Sequence, residues 1–209
     1  MADEALQIRL DTRTRLLRAA EWVIVHEGVH ALTIRRAAAL AEANSALIGY
    51  HFGGVGGLLA ELARLNSEPI LEDQRSGFER VMGGGGRLEE LLDAFLHPLW
   101  RSAAMNPSER ALVVVDEIVT RAEPELREEV RGWFAEAARP FVESFVRLLP
   151  ELGSSAVRWR LGFLSAAALD LPPRGARTAL ASPQRALAAG DDAERYRQFL
   201  AFARASLSA

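Results

Sequence analysis

The chain has 209 residues, 49% hydrophobic and 25% charged, with a formal net charge of −3, which is an ordinary globular composition with length enough for a sizeable core. It has no cysteine, which excludes disulfides, thiolate catalysis and cysteine-ligated zinc. No apolar run approaches the roughly 18 residues of a membrane span, and the acidic opening MADEALQIRLD does not read as a signal peptide, so a cytoplasmic location is expected.

Helical signals follow one another along the chain. Asp11 caps a first helix whose inner face, Leu16, Ala20, Val23 and Ile24, repeats at helical spacing. Gly28 ends it as a C′ residue. Leu32 then closes a small core with Leu40, Leu47 and Phe52. From Val55 a longer helix leads on; Pro69 kinks or restarts it, and Gly83 to Gly86 break it. Leu88 to about Ala104 is helical, distorted at Pro98. Asn106-Pro107 starts another helix through Arg121, because a proline at N1 costs no hydrogen bond. Val113 to Val115 alone reads as strand, but its flanks are helical. Glu123 to Leu149 is the longest helix, with the stripe Leu126, Val130, Trp133, Ala137, Phe141, Phe145 and Leu148 and a bend at Pro140. Ser154 or Ser155 caps a helix over Ala156–Leu169. Pro172 to Gly190 reads as a loop and Asp191 to Leu207 as a final helix. The expected fold is all-α, with about nine helices and no internal repeat.

The most informative stretch is Thr33 to Phe52, TIRRAAALAEANSALIGYHF. Thr33 and Asn44 are N-caps for two short helices, with Glu42 and Ala43 at the turn between them. Two helices so joined form a helix-turn-helix, whose second helix enters the DNA major groove. Charge supports this weakly. Residues 9 to 52 hold six Arg against four acids, while the rest of the chain is acidic. All 25 basic residues are arginine, which reads as coding bias and not as chemistry.

Thr14 to Leu59 resembles the DNA-binding domain of TetR-type transcriptional regulators. The likeness is carried by LLRAAEWVIVHEG (Leu16–Gly28), ALT (Ala31–Thr33), NSALIGYHFGG (Asn44–Gly54) and GLL (Gly57–Leu59). LNSEPI (Leu65–Ile70) is a fainter likeness. Two positions depart from the pattern. Glu42 stands where the family has a turn glycine, which implies a stretched or altered turn. Val55 stands where the family has a phosphate-touching lysine. The resemblance implies a helix-turn-helix domain over 1–53 and a larger helical effector-binding and dimerisation domain over 54–209. The protein is then expected to be a ligand-responsive regulator, most often a repressor in that family, that binds a palindromic operator as a homodimer.

The expected DNA-facing residues are Thr33, Arg35, Arg36, Asn44, Ser45, Ala46, Gly49, Tyr50 and His51. Arg35 and Arg36 suit a guanine edge or a phosphate, and Ala46 a thymine methyl. Ser45 suits a base edge or phosphate, and Gly49 lets the backbone approach the groove floor. Tyr50 and His51 resemble the family's phosphate contacts, which position the domain without reading sequence. Each has a plainer alternative: Tyr50 packs, and Arg36 pairs with Glu42 or another acid. A dimer reads two half-sites roughly 34–36 Å apart or a multiple of that spacing. For its interface the expectation is Phe141, Phe145, Trp159, Gly162, Phe163 and Ala166, the small residues allowing close approach. The effector, an unknown small molecule, is expected among Phe95, Trp100, Trp133 and Phe134, with His97 and Asp116 as polar anchors.

Enzyme readings are weaker. His26-Glu27-Gly28-Val29-His30 matches the zinc-hydrolase pattern, but that chemistry needs an unbroken helix, and Gly28 falls between the ligands. Gly53 to Gly57 lacks the Lys-Ser/Thr of a phosphate loop. No cofactor, metal or catalytic residue is expected. A helical adaptor without DNA affinity is the remaining alternative.

Overall fold

The computed structural model describes residues 11–104, 110–170 and 191–207, and among these the secondary structure is helical throughout. The chain divides into two compact units, Met1–Ser67 with Val113–Arg131 and Glu68–Leu112 with Gly132–Ala209. This division does not follow the expected boundary at residue 53. Both units take segments far apart in sequence, because three long helices each contribute to both.

In the first unit, α1 (Thr12–Glu27) starts where Asp11 Oδ1 accepts from the Thr14 N–H at 2.8 Å. That backbone hydrogen bond holds the Asp11 carboxyl below its ordinary range. Leu16, Ala20, Val23 and Ile24 are buried, as their spacing predicts; the larger three contribute about 1.5–3 kcal/mol each. Gly28 ends the helix at φ +89, its N–H donating to the Ile24 carbonyl at 3.1 Å. A 3-10 turn over Val29–Ala31 leads to α2 (Ile34–Leu40) and α3 (Ala46–Phe52). Leu40 does not join the core; it is 41% exposed, and Ala37, Ala38, Ala41 and Ile48 fill the space instead. The unit also holds the start of α4 (Val55–Gly83), most of α6 (Arg110–Arg121) and the start of α7 (Pro124–Leu148). Glu117 on α6 is only 7% exposed, and its Oε2 accepts from the Val29 N–H at 3.1 Å.

In the second unit, α4 runs past Pro69 and ends at the glycine run, where the Gly86 N–H donates to the Val81 carbonyl at 2.9 Å. Next comes α5 (Leu88–Ala104), with Pro98 inside it. Proline brings no N–H to the helical ladder. Beside the gap, the Phe95 carbonyl accepts from the buried Gln74 amide at 2.9 Å. The unit is completed by the rest of α7, a 3-10 turn over Pro150–Leu152, α8 (Gly153–Asp170) and α9 (Asp192–Ser206), which Asp191 caps. The expected helix start at Asn106-Pro107 and the expected loop from 172 to 190 lie outside the described residues.

The core of this unit contains Phe95, Trp100, Phe141, Phe145, Leu161, Leu164 and Phe199. Phe95 lies 5.1 Å from Phe141 and 6.4 Å from Phe145, ring centre to ring centre. Phe141 and Phe145, expected at the dimer interface, are therefore fully buried within one chain. Within the stripe of α7, Phe141 and Phe145 pack on Phe95 of α5, whereas Leu148 is 45% exposed. Trp100 stacks on Phe199 at 5.2 Å. Tyr196 donates to Asp93 Oδ1 at 2.7 Å; burial first, then this bond, pushes its phenol up.

Candidate nucleic-acid interface

Local capping builds the reading head. Thr33 Oγ1 accepts from the Arg36 N–H at 3.1 Å and starts α2. At the other end, the Ala43 N–H donates to the Ala38 carbonyl at 3.0 Å and the Glu42 N–H to the Ala39 carbonyl at 3.2 Å. These two bonds define a Schellman motif with Glu42 at the left-handed C′ position. Glu42 has φ +49, the only positive φ outside glycine among the described residues. The turn is thus compact and not stretched: glutamate adopts a left-handed conformation that a glycine would take without strain. Asn44 Oδ1 then accepts from the Ala46 N–H at 2.9 Å, doing the expected N-capping work although α3 begins two residues later.

On α3, only Ile48 is buried. Thr33, Arg35, Asn44, Ser45, Ala46 and Gly49 are exposed, and Tyr50 is 81% exposed. His51 is half-buried, edge-on to Tyr50 at 5.0 Å. Arg36 is exposed but occupied. It pairs with Glu27 through both Nε and Nη2, not with Glu42, and holds the Glu27 carboxyl below its ordinary range. Arg35 has no ion pair among the described residues. Of the two arginines, it is the one available to an incoming phosphate or base.

Two supports were not evident in the sequence. Arg13 lies 5.4 Å above the Phe52 ring and pairs with Glu61 at 2.7 Å, tying the end of α3 to α1 and α4. Gly53 closes α3 in the left-handed conformation, and a Cβ on Gly57 would lie 1.8 Å from the Phe52 carbonyl oxygen. The glycines that suggested a phosphate loop form the joint between α3 and α4. No sequence signal marks Arg13; a glycine in the first turn of a helix is a legible sign of close approach.

The zinc pattern dissolves. Gly28 breaks the helix between His26 and His30, and His26 stacks on Trp22 at 4.4 Å. Glu27 is held by Arg36. Among the described residues no three His, Asp or Glu side chains come together to hold a metal, and no single helix is long and apolar enough to cross a membrane.

The predicted effector residues scatter. Phe95 and Trp100 are core. Trp133 and Phe134 are half-buried. Asp116 faces outward, and its neighbour Glu117 is the buried acid, because one residue on a helix is a rotation of about 100°. His97 opens on a cleft of about 130 Å³ in the second unit, with Asp73, Arg80, Asp93 and Arg101 around it. Of the predicted dimer residues, Trp159, Gly162, Phe163 and Ala166 are exposed on one face of α8. Trp159 (72% exposed) and Phe163 stack 5.9 Å apart.

Residues 93–206 match the sequence profile described as tetracyclin repressor-like, C-terminal domain. No curated protein matches the sequence. Among solved structures, the chain is similar to PfiT, described as a superantigen, at 17% identity over 91% of this chain and 95% of that one, with TM-score 0.62. It is similar to SmeT, solved with triclosan, at 17% identity over 93% and 90%, TM-score 0.60. It is also similar to NalD of Pseudomonas aeruginosa, the secondary repressor of the MexAB-OprM multidrug efflux pump, at 20% identity over 93% and 96%, TM-score 0.57. These likenesses show a shared fold; their descriptions span different activities.

Proposed function

This chain belongs to the TetR family, whose C-terminal-domain profile matches more than half of it, and from that premise we propose that it is a DNA-binding transcriptional regulator that reads a palindromic operator as a homodimer and releases it on binding a small molecule. The observation that carries the reading is the surface of the helix-turn-helix. Ile48 anchors α3, while Arg35, Ser45, Ala46, Gly49 and Tyr50 stand exposed on α2 and α3. Arg35 supplies a charge-assisted contact, Ser45 and Ala46 face base edges, and Tyr50 and His51 take phosphates. Thr33 and Asn44 contribute at the caps. Arg36 braces α2 against α1 and contributes charge from the side.

One head offers too few contacts for a specific site, so a second copy is needed. The stacked Trp159 and Phe163, with Gly162 and Ala166 beside them, give α8 an apolar face suited to an isologous contact. Phe202 on α9 is also exposed. Repressors and homodimers are typical of the family, which supports repression here. The effector reading rests on the His97 cleft, which Asp73, Arg80, Asp93 and Arg101 surround. A coupling of about 1–3 kcal/mol, or 5- to 150-fold in DNA affinity, is enough for release. The family is generally non-enzymatic, in keeping with a regulator.

The test is Arg35→Ala and Tyr50→Ala, measured by fluorescence anisotropy on operator duplex at matched salt. Each is expected to bind more weakly, Arg35→Ala by about 1–3 kcal/mol if it contacts a base, with oligomeric state and melting temperature unchanged. Parent-like binding by both variants contradicts the contact assignment.

A further inference from the structure

Glu42 stands apart from the rest of the reading head. A glycine at this C′ position would close the same two hydrogen bonds without left-handed strain, yet the chain carries a glutamate at φ +49. Among the described residues no contact accounts for it. The side chain is exposed and makes no hydrogen bond or ion pair among the described residues. Arg15 Nη1 donates to the Glu42 backbone carbonyl at 3.5 Å and leaves the carboxylate alone. Arg36, on the helix before it, is committed to Glu27. Strain kept without a structural return points to a role at the surface.

We propose that Glu42 is an affinity-limiting residue, a fixed negative charge placed beside the DNA-facing residues to hold down the grip of the head on duplex DNA. The inference rests on the DNA-binding reading above and concerns the same surface. Glu42 is two residues from Asn44 and three from Ser45. A chain spans at most about 3.6 Å per residue, so its backbone lies within roughly 7 Å of the first and 11 Å of the second. Salt screens charges over about 8–10 Å at physiological strength. A phosphate contacted at Asn44 therefore lies within reach of the carboxylate's field, which offsets part of the attraction of Arg35. A loosely held operator is one that a modest effector coupling can release.

Substitution separates charge from strain. Glu42→Gln removes the charge and keeps the backbone strain, Glu42→Gly removes both, and Glu42→Arg reverses the charge. Affinity of the full-length protein for a mixed-sequence duplex of about 30 base pairs, roughly three helical turns, is read by anisotropy over a salt series. At low salt Glu42→Gln is expected to bind about two- to five-fold tighter than the parent, with Glu42→Arg tighter still, and the gap should close as salt rises. Glu42→Gly should match Glu42→Gln in affinity and also melt at a higher temperature. If Glu42→Gln binds as the parent does, or more weakly, while Arg35→Ala still weakens binding, the inference is overturned and the function stands. If the parent binds no duplex above background, the function reading fails and this inference with it.

Discussion

Neighbouring glycines in the first turn of α4 should respond to the same substitution with opposite signs. Both Gly56 and Gly57 are exposed, so neither owes its identity to burial. A Cβ at Gly56 meets open space, whereas at Gly57 it lies 1.8 Å from the Phe52 carbonyl oxygen and 2.9 Å from its carbon. Gly56→Ala should therefore stabilise the protein by about 0.5–1 kcal/mol, the usual helical gain over glycine. Gly57→Ala requires the α3–α4 joint to open by roughly 1–2 Å against backbone atoms, and overpacking of this kind costs about 1–3 kcal/mol. For a chain of this length one kcal/mol is worth about 2–4 °C. Melting followed by circular dichroism should place the two variants on opposite sides of the parent, at least about 3 °C apart by this scaling. Because Phe52 ends α3, Gly57→Ala should also weaken duplex binding, while Gly56→Ala should not. A Gly57→Ala protein that melts with or above the parent would refute the close approach, and with it the orientation of α3 described here.

Three further outcomes follow from the packing. Glu117→Leu leaves the buried Val29 N–H without its acceptor and should cost about 1–3 kcal/mol, with Glu117→Gln costing less because its carbonyl can still accept; equal losses in thermal melts would show that the bond is not what holds the turn. The Arg36 hydrogen bond lowers the Glu27 carboxyl below its ordinary 4.5, so the ionised pair stabilises the fold above that pH and the benefit is lost as pH falls through the folded value. The melting-temperature gap between the parent and Glu27→Gln should accordingly narrow on acidification below 4.5, and a gap that widens contradicts the pairing. Trp159→Glu and Phe163→Glu should each yield folded monomers by sedimentation equilibrium; a dimer that survives both places the interface elsewhere.

Local chemistry was legible in the sequence and spatial neighbours were not. Asp11 and Gly28 bracket α1 because an N-cap and a C-cap glycine act within four residues, and Asp191 starts the last helix for the same reason. The helix-turn-helix stretch was readable because its caps and its motif coincide. Phe141 and Phe145 show the opposite case. Helical spacing says that they share an apolar face, but not whether that face meets α5 of the same chain or another copy. Asp116 is exposed and Glu117 beside it is buried, a difference that a broad apolar stripe does not resolve. Arg36 and Glu27 are nine residues apart, and only the angle at which α1 ends brings them together. The backbone of Glu42 was hidden because glutamate carries no signal for positive φ; only the departure from the family pattern marked the spot.

The proposed function has residues 33 to 52, presented twice, read a duplex. Selection of bound sequences from a random duplex pool tests it most directly, using the full-length protein. Enrichment of a palindromic consensus with half-sites about one helical turn, or a multiple of it, apart is expected, with loss of that enrichment in Arg35→Ala. A pool that remains random after selection, or a consensus without two-fold symmetry, would contradict it.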